Sequence, residues 1–198
     1  MDGDALPPGW TVTLDDGERV LLRPIQPDDK AELQRGFERL SRESRYKRFF
    51  SAVSRLTEKQ LAYFTEIDYH DHFAWVALVT DREEARGVAV GRYIRLRDEP
   101  EAAEIALAVV DEYQGRGLGR HLLEALVETA YANGIRRIVG HVLADNRPML
   151  ALLEQAGGTA SFEEPGLFRL DVELPEPGTP FPESDVYDAL RKAARPDG

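Results

Sequence analysis

The sequence has no cysteine among its 198 residues. This absence excludes disulfides, thiolate nucleophiles and cysteine-ligated metal sites together. Apolar runs long enough to span a bilayer are also lacking. The acidic start, Met1-Asp2-Gly3-Asp4, has no apolar segment of the kind found in a signal peptide. We therefore expect a cytoplasmic protein with no membrane partner.

Positive charge is scarce as well, since 25 lysines and arginines face 36 acidic residues, for a net charge of −11. Phosphate neutralisation drives nucleic-acid binding, so no nucleic-acid partner is expected. The acidic balance suits a cationic substrate such as an amine, although it also favours solubility. One stretch, residues 35–55, is basic with interleaved aromatic residues. We interpret it as a solvated face with an aromatic anchor rather than as a binding patch.

What the chain does contain is a set of short apolar runs separated by polar turns, typical of a soluble globular domain. Strands are predicted at residues 11–14, 19–23, 73–80, 87–96, 102–110, 137–143, 159–162 and 168–174. Helices are predicted at residues 28–40, after the capping box at Thr57, at residues 120–131, and after Asn146 as N-cap. This order predicts an α/β (α+β) fold with a mixed, mostly antiparallel central sheet flanked by helices.

A glycine-rich stretch joins the predicted strand at 102–110 to the helix that follows. Alternate glycines allow the backbone to turn tightly and to approach a ligand closely. Successive N–H groups in such a turn converge on an anion, and the helix N-terminus adds partial positive charge. The stretch therefore predicts a phosphate site, with pyrophosphate as the best candidate, against the alternative of an ordinary strand-to-helix turn. The candidate residues are Gln114, Gly115, Arg116, Gly117, Leu118, Gly119 and Arg120.

The spacing of this loop excludes the common nucleotide motifs. A Walker loop ends in Gly-Lys-Ser/Thr, and a dinucleotide fingerprint requires glycine at the position of Arg120. The pattern Gln/Arg-x-x-Gly-x-Gly is met instead by Gln114, Gly117 and Gly119. Residues 109–120 thereby resemble the acyl-CoA pyrophosphate loop of the GNAT family of N-acetyltransferases. Residues 146–157, from Asn146-x-x-Met149 onward, resemble the second motif of that family.

The resemblance covers roughly residues 19–174 and implies acetyl-CoA as co-substrate, with no metal. It implies that the backbone N–H of Val109 or Val110 polarises the thioester carbonyl, and that Asn146 and Met149 contact the cofactor near its pantetheine arm. Many relatives carry a tyrosine as general acid where this chain has Leu153. A metal site at His70-x-His72 is not expected either, because no third ligand has suitable spacing.

Glu104 is the candidate general base. On a strand it shares one face with Ala106 and Ala108, and these small residues leave room for a substrate. Members that resemble bacterial protein-lysine acetyltransferases place a glutamate at this position as base. The alternative is a solvated strand carboxylate.

These observations predict an N-acetyltransferase that transfers the acetyl group directly to a primary amine, with protein lysine as one candidate acceptor. A small-molecule amine or antibiotic acetyltransferase and a non-catalytic acyl-CoA-binding regulatory module are the alternatives. The domain is expected at residues 19–174, after an arm and first strand at 1–18. A proline-rich linker and a helix are expected at 175–198, where the helix packs back on the domain, meets a partner subunit in a homodimer, or frays.

Overall fold

The computed structural model describes residues 6–81 and 84–174, except for the side chains of residues 81 and 84. The linker and helix predicted at 175–198 lie outside the described residues, as does the start of the arm.

One eight-stranded sheet forms the centre of the fold, in the order β1-β2-β3-β4-β5-β6-β8-β7. All neighbours pair antiparallel except β5 and β6, which are parallel. This confirms the mixed, mostly antiparallel sheet predicted from the sequence. The strands are β1 (Trp10–Thr13), β2 (Arg19–Pro24), β3 (His72–Asp81), β4 (Glu84–Arg95), β5 (Ala102–Val109), β6 (Arg137–Leu143), β7 (Thr159–Glu164) and β8 (Leu167–Glu173).

Five α-helices cover the sheet in the described part of the chain. They are α1 (Lys30–Arg39), α2 (Arg42–Phe49), α3 (Glu58–Thr65), α4 (Leu118–Ala132) and α5 (Arg147–Gln155). Short 3-10 turns at Pro27–Asp29 and Asp111–Tyr113 precede α1 and the glycine loop. The capping box predicted at Thr57 is present, with Gln60 as its partner.

Helix α2 was not predicted, because no residue in it is fully buried and its sequence therefore shows no apolar stripe. Its start is nevertheless encoded: the hydroxyl of Ser41 accepts the N–H of Ser44 at 3.1 Å. It ends at Phe50, in a left-handed conformation with φ of 51°. The basic stretch, interpreted from the sequence as a solvated face with an aromatic anchor, therefore includes a helix.

Two other helix starts differ from the prediction. Helix α4 begins at Leu118, two residues earlier than expected, because Gly117 takes a left-handed conformation at the N-cap. Asn146 does precede α5, but its side chain makes no capping hydrogen bond.

The helices bury the two faces of the sheet in different ways. Helix α4 lies against the face of Trp75, whose indole N–H donates to Thr129 Oγ1 at 3.0 Å. It approaches so closely that a Cβ at Gly91 would lie 2.9 Å from Leu126 Cδ1. On the other face, a smaller apolar cluster contains Ala74, Val76 and Leu78, and Leu33 of α1 packs against it.

The sheet splits between its two parallel strands. Residues 102–104 of β5 pair with residues 137–139 of β6, and the pairing then stops. Beyond that point β6 remains paired with β8, whereas β5 continues to Val109 beside β4 alone. Within the described ranges, the split leaves one side of residues 105–109 without a neighbouring strand, and a short 3-10 turn then joins β5 to the glycine loop.

Candidate active site

The split exposes backbone donors on β5. Val110 donates its N–H to the carbonyl of Val88 at 3.0 Å, so this group points toward β4. N–H groups along a strand alternate between its two sides, so those of Leu107 and Val109 point into the gap left by β6. The N–H of Val109 therefore has no acceptor among the described residues and is open to a ligand, whereas that of Val110 is engaged. Sequence reasoning missed Leu107, although the same alternation would have pointed to it once the split was known.

The glycine loop presents a second row of donors. Gly115 and Gly117 have φ of 69° and 83°, and a Cβ at Gly117 would lie 2.8 Å from Asp15 Oδ1. In the part of the chain that the structure describes, none of the N–H groups of residues 115–119 donates to a protein acceptor. Those of Leu118 and Gly119 open α4, where helix geometry provides no partner. The loop therefore fits an anion such as a pyrophosphate.

The side chains of the loop are mostly committed to the protein. Gln114 Nε2 donates to the carbonyl of Val109 at 2.9 Å and to Ser44 Oγ at 3.1 Å, which ties the loop to β5 and α2. Leu118 is buried in the core. These residues can therefore offer a ligand their backbone but not their side chains.

Two arginines flank the loop in different ways. Arg116 pairs with Asp16 at 2.5 Å and with Glu18, both in the connection between β1 and β2. Arg120 lies 3.8 Å from Asp15 Oδ1 and its side chain is 41% exposed. Of the two, Arg120 is the one whose guanidinium remains accessible to a phosphate.

Helix α5 lies next to the start of α4, since a Cβ at Gly119 would meet Leu152 at 3.7 Å. The carbonyl of Asn146 accepts the N–H groups of Met149 and Leu150 at 3.1 Å, but its side-chain amide is left without a hydrogen bond among the described residues. Met149 is half-buried and packs against the main core. The amide of Asn146 is thus available to a ligand held between the two helices.

Glu104 is the last residue of β5 that pairs with β6, directly before the split. Its side chain is exposed, and within the described ranges it forms no hydrogen bond or ion pair. Burial lowers the pKa of the Arg48 guanidinium, and the charge of Glu104 opposes that shift. The carboxylate is therefore near Arg48 and open to a substrate.

Residues considered for other roles are occupied elsewhere. Leu153 is fully buried. It packs so closely on β6 that a Cβ at Gly140 would lie 2.6 Å from its Cδ1. The hydroxyl of Tyr113 donates to Glu18 at 3.0 Å. His70 Nδ1 lies 2.7 Å from Asp71, and His72 Nε2 lies 2.9 Å from Arg92.

Residues 6–81 and 84–174 contain no group of three or more side chains that could hold a metal ion. In the same ranges, every helix is too short or too polar to cross a membrane.

Comparison with known proteins gives consistent matches. The model of the Acetyltransferase (GNAT) family matches residues 37–158. Acetyltransferase Pat of Mycolicibacterium smegmatis is 36% identical over 180 residues, which are 90% of this chain and 53% of that protein. Acetyltransferase PA5475 of Pseudomonas aeruginosa is 35% identical over 140 residues, which are 71% of this chain and 75% of that protein. The chain thus spans about half the length of the first of these relatives.

Among solved structures, the GNAT domain of S. lividans PAT superposes with a TM-score of 0.78 at 34% identity, covering 84% of this chain and 97% of that domain.

Proposed function

The chain belongs to the acetyltransferase (GNAT) family, and we propose that it transfers an acetyl group from acetyl-CoA directly to a primary amine, with Glu104 as general base. The observation that carries the proposal is the continuous run of N–H groups at residues 115–119 that have no acceptor among the described residues, a few residues after the split in the sheet. We assign the acetyltransferase domain to residues 19–174.

The loop residues would hold the pyrophosphate of acetyl-CoA through the N–H groups of Gly115, Arg116, Gly117, Leu118 and Gly119. Arg120 adds an accessible cation beside them. The amide of Asn146 and the side chain of Met149 would contact the pantetheine arm along the gap. Because the ligand takes donors that the protein leaves unused, binding breaks none of the hydrogen bonds described above.

The β5 backbone would polarise the thioester carbonyl. A strand rises about 3.3 Å per residue, so Leu107 lies about 10 Å from Glu104 and Val109 about 16 Å. Leu107 is therefore the better placed donor, and Val109 would bind further along the arm. An N–H donor aimed at the oxygen that gains negative charge lowers the barrier to acyl transfer.

Glu104 would take the proton from the ammonium group of the acceptor, through a water molecule that spans the remaining distance. The neutral nitrogen then attacks the acetyl carbon, the C–N bond forms and the C–S bond breaks. The bonding electrons leave with sulfur as the thiolate of CoA. A thiol has a reference pKa near 8.5, so this leaving group requires no dedicated acid, in line with Leu153 where relatives carry tyrosine.

The acceptor is proposed to be an amine, with protein lysine as one candidate by resemblance and a small-molecule amine as the other. The test is release of CoA thiol from acetyl-CoA with panels of amines and of lysine-containing proteins, followed by mass spectrometry of the product. Acetylation should appear on an amine nitrogen. Turnover only with alcohols or thiols would refute the amine assignment, and binding of acetyl-CoA without any turnover would favour the non-catalytic module.

A further inference from the structure

A cavity of about 70 Å³ lies between the first three helices and the face of the sheet that carries Ala108. Most of its wall is apolar, with Phe37, Phe49 and Phe64 among the side chains that line it. Ala108 and Val110 form part of the same wall, so the cavity reaches β5 beside the split. A group attached to the reacting carbon or to the acceptor amine could therefore enter it.

Arg92 places a buried cation in this apolar wall. It lies on β4 opposite Ala106 and is 4% exposed. Its Nη1 lies 2.9 Å from His72 Nε2 and 3.3 Å from the carbonyl of Phe64, whose ring lies 4.4 Å from the guanidinium carbon. All of these partners are neutral, because burial and the neighbouring Arg92 lower the pKa of His72 to about 4. Burial and Arg48 lower the pKa of Arg92 to about 9.

Arg48 of α2 brings a second cation to the same cavity. Its guanidinium carbon lies 4.9 Å from the centre of the Phe49 ring. Among the described residues, no carboxylate comes within 4.0 Å of a nitrogen of Arg48 or of Arg92. Two like charges thus share one low-dielectric wall. The charge of the exposed Glu104 acts on Arg48 from beyond contact distance, so the arrangement still costs free energy unless an anion joins it.

The acidic residues that line the cavity do not provide that anion. Asp29 is held by Arg23 at 2.6 Å. Glu32 pairs with Arg35 at 2.6 Å and with Arg39 at 2.9 Å. Both carboxylates are therefore paired with other arginines. Glu104, the carboxylate near Arg48, is exposed, so neither Arg48 nor Arg92 is in contact with an acidic group among the described residues.

We propose that this cavity binds a carboxylate carried by one of the two substrates, with Arg48 and Arg92 as its ligands. Guanidinium groups match a carboxylate geometrically and lose less hydration than an ammonium group. The apolar walls strengthen such a contact by excluding water. The inference rests on the proposed acyl transfer and narrows its substrate class. The carboxylate has two sources: the far end of a dicarboxylic acyl group on CoA, or an amino acid that serves as acceptor.

The unmodified full chain supplies the first test, in two arms. In the acyl arm, succinyl-CoA and butyryl-CoA present acyl groups of four carbons with and without a terminal carboxylate. In the acceptor arm, amino acids are compared with their α-amides, with acetyl-CoA as donor. We expect kcat/KM to favour the carboxylate by about 10- to 100-fold in one arm, as is typical of a hydrogen bond to a charged group. Turnover without preference in either arm would overturn the inference.

Variants then locate the binding groups. Arg48→Met and Arg92→Met keep an unbranched apolar stem and remove the charge, so each should reduce the preference by about tenfold or more. Arg42→Met, on the exposed side of the same helix α2, is the matched control and should keep the preference. A carboxylate preference that survives in folded Arg48→Met and Arg92→Met proteins would place the binding site elsewhere.

A binding measurement separates this inference from the proposed function. If the acyl arm is the correct one, succinyl-CoA should raise the melting temperature more than butyryl-CoA, and the difference should disappear in the two arginine variants. If acetyl-CoA neither raises the melting temperature nor releases thiol with any amine, the proposed acetyl transfer is wrong. If acetyl-CoA supports turnover and both arms show no preference, only the carboxylate site is wrong.

Discussion

At the scale of single residues, Glu104 is the clearest place to test the chemistry. Glu104→Gln keeps the shape of the side chain and removes its ability to accept a proton. General-base loss typically costs about 100- to 10,000-fold in rate, so kcat should fall by that range. The shift in melting temperature caused by acetyl-CoA should change little, because the carboxylate lies on the strand and the glycine loop binds the pyrophosphate.

The defect should also shrink as the pH rises, since a lysine-type amine has a reference pKa near 10.4 and solvent then supplies more of its free form. Glu101→Gln is the matched control, because Glu101 is exposed directly before β5 and away from the split. Wild-type turnover of Glu104→Gln at neutral pH would make Glu104 a solvated carboxylate without a catalytic role.

His72 gives a second residue-scale prediction, on stability rather than on rate. Burial first, and then Arg92, lower its pKa in the folded protein from 6.5 to about 4. Between these two values the unfolded chain binds a proton that the folded protein does not. The contribution of neutral His72 is therefore present above pH 6.5 and is lost as the pH falls toward 4, by up to about 3 kcal/mol.

His72→Gln removes this titration, and its amide oxygen can still accept from Arg92. The free energy of unfolding, measured by urea titration at pH 7.5, 6 and 5, should fall less steeply with acidification in the variant than in the wild type. Both proteins share the titration of all other groups, so the comparison isolates His72. Equal slopes in the two proteins would contradict the assigned shift.

At the scale of elements, the glycine loop can be tested with two substitutions that have nearly the same shape and differ in charge. Gly115 has φ of 69° and open space around its Cβ position, and asparagine and aspartate tolerate the left-handed region similarly. Gly115→Asp should therefore abolish the acetyl-CoA shift in melting temperature by repelling the pyrophosphate, whereas Gly115→Asn should retain part of it. Gly117 is less suitable, because a side chain there would collide with Asp15. Equal shifts in Gly115→Asp and Gly115→Asn would mean that the loop does not bind the phosphates.

The elements that the sequence predicted are those whose signal is local. The glycine spacing at 115–119 predicted the loop, the alternation of apolar residues predicted the strands, and Thr57 predicted a helix start. Helix α2 was not predicted, because its side chains are at most half-buried and its sequence shows no apolar stripe. The register shift between Ala77 and Leu78, which leaves the buried Val88 without a partner residue on β3, also has no signature in the sequence.

The candidate site residues also differ in whether their signal is local in the sequence. Glu104 and the loop residues could be proposed as candidates from the sequence, because each belongs to one contiguous segment. The cavity cations could not, since Arg48 is on α2 and Arg92 on β4, and only the folded sheet brings them to one wall. Leu107 became a candidate N–H donor only because β5–β6 pairing ends before it, and that pairing involves two segments distant in the sequence.

At the scale of the whole molecule, charge is distributed unevenly. The chain carries a net charge of −11, yet neither of the two arginines in the cavity beside β5 is in contact with a carboxylate among the described residues. A cationic amine is attracted by the overall field, while a carboxylate is held at short range in the cavity. The two preferences are compatible, because one concerns the reacting amine and the other a carboxylate located elsewhere on one of the two substrates.

The last prediction concerns the extent of the domain. Val172 and Leu174 are buried, and Leu174 donates its N–H to the carbonyl of Arg136 at 2.6 Å, so the sheet needs the chain through residue 174. A chain truncated after Leu174 should remain soluble and keep its acetyl-CoA shift in melting temperature.

Truncation after Phe168 is the matched comparison. It removes most of β8, which pairs with both β6 and β7, and should give insoluble protein because it deletes the buried Leu170, Val172 and Leu174. Light scattering of the chain that ends at Leu174 adds a second result. Its mass should be about half that of the full-length protein if residues 175–198 hold a homodimer, and should fall only by the mass of the deleted residues if they do not. Insolubility of the chain that ends at Leu174 would show that the domain extends into residues 175–198, since every described contact of the sheet is retained in it.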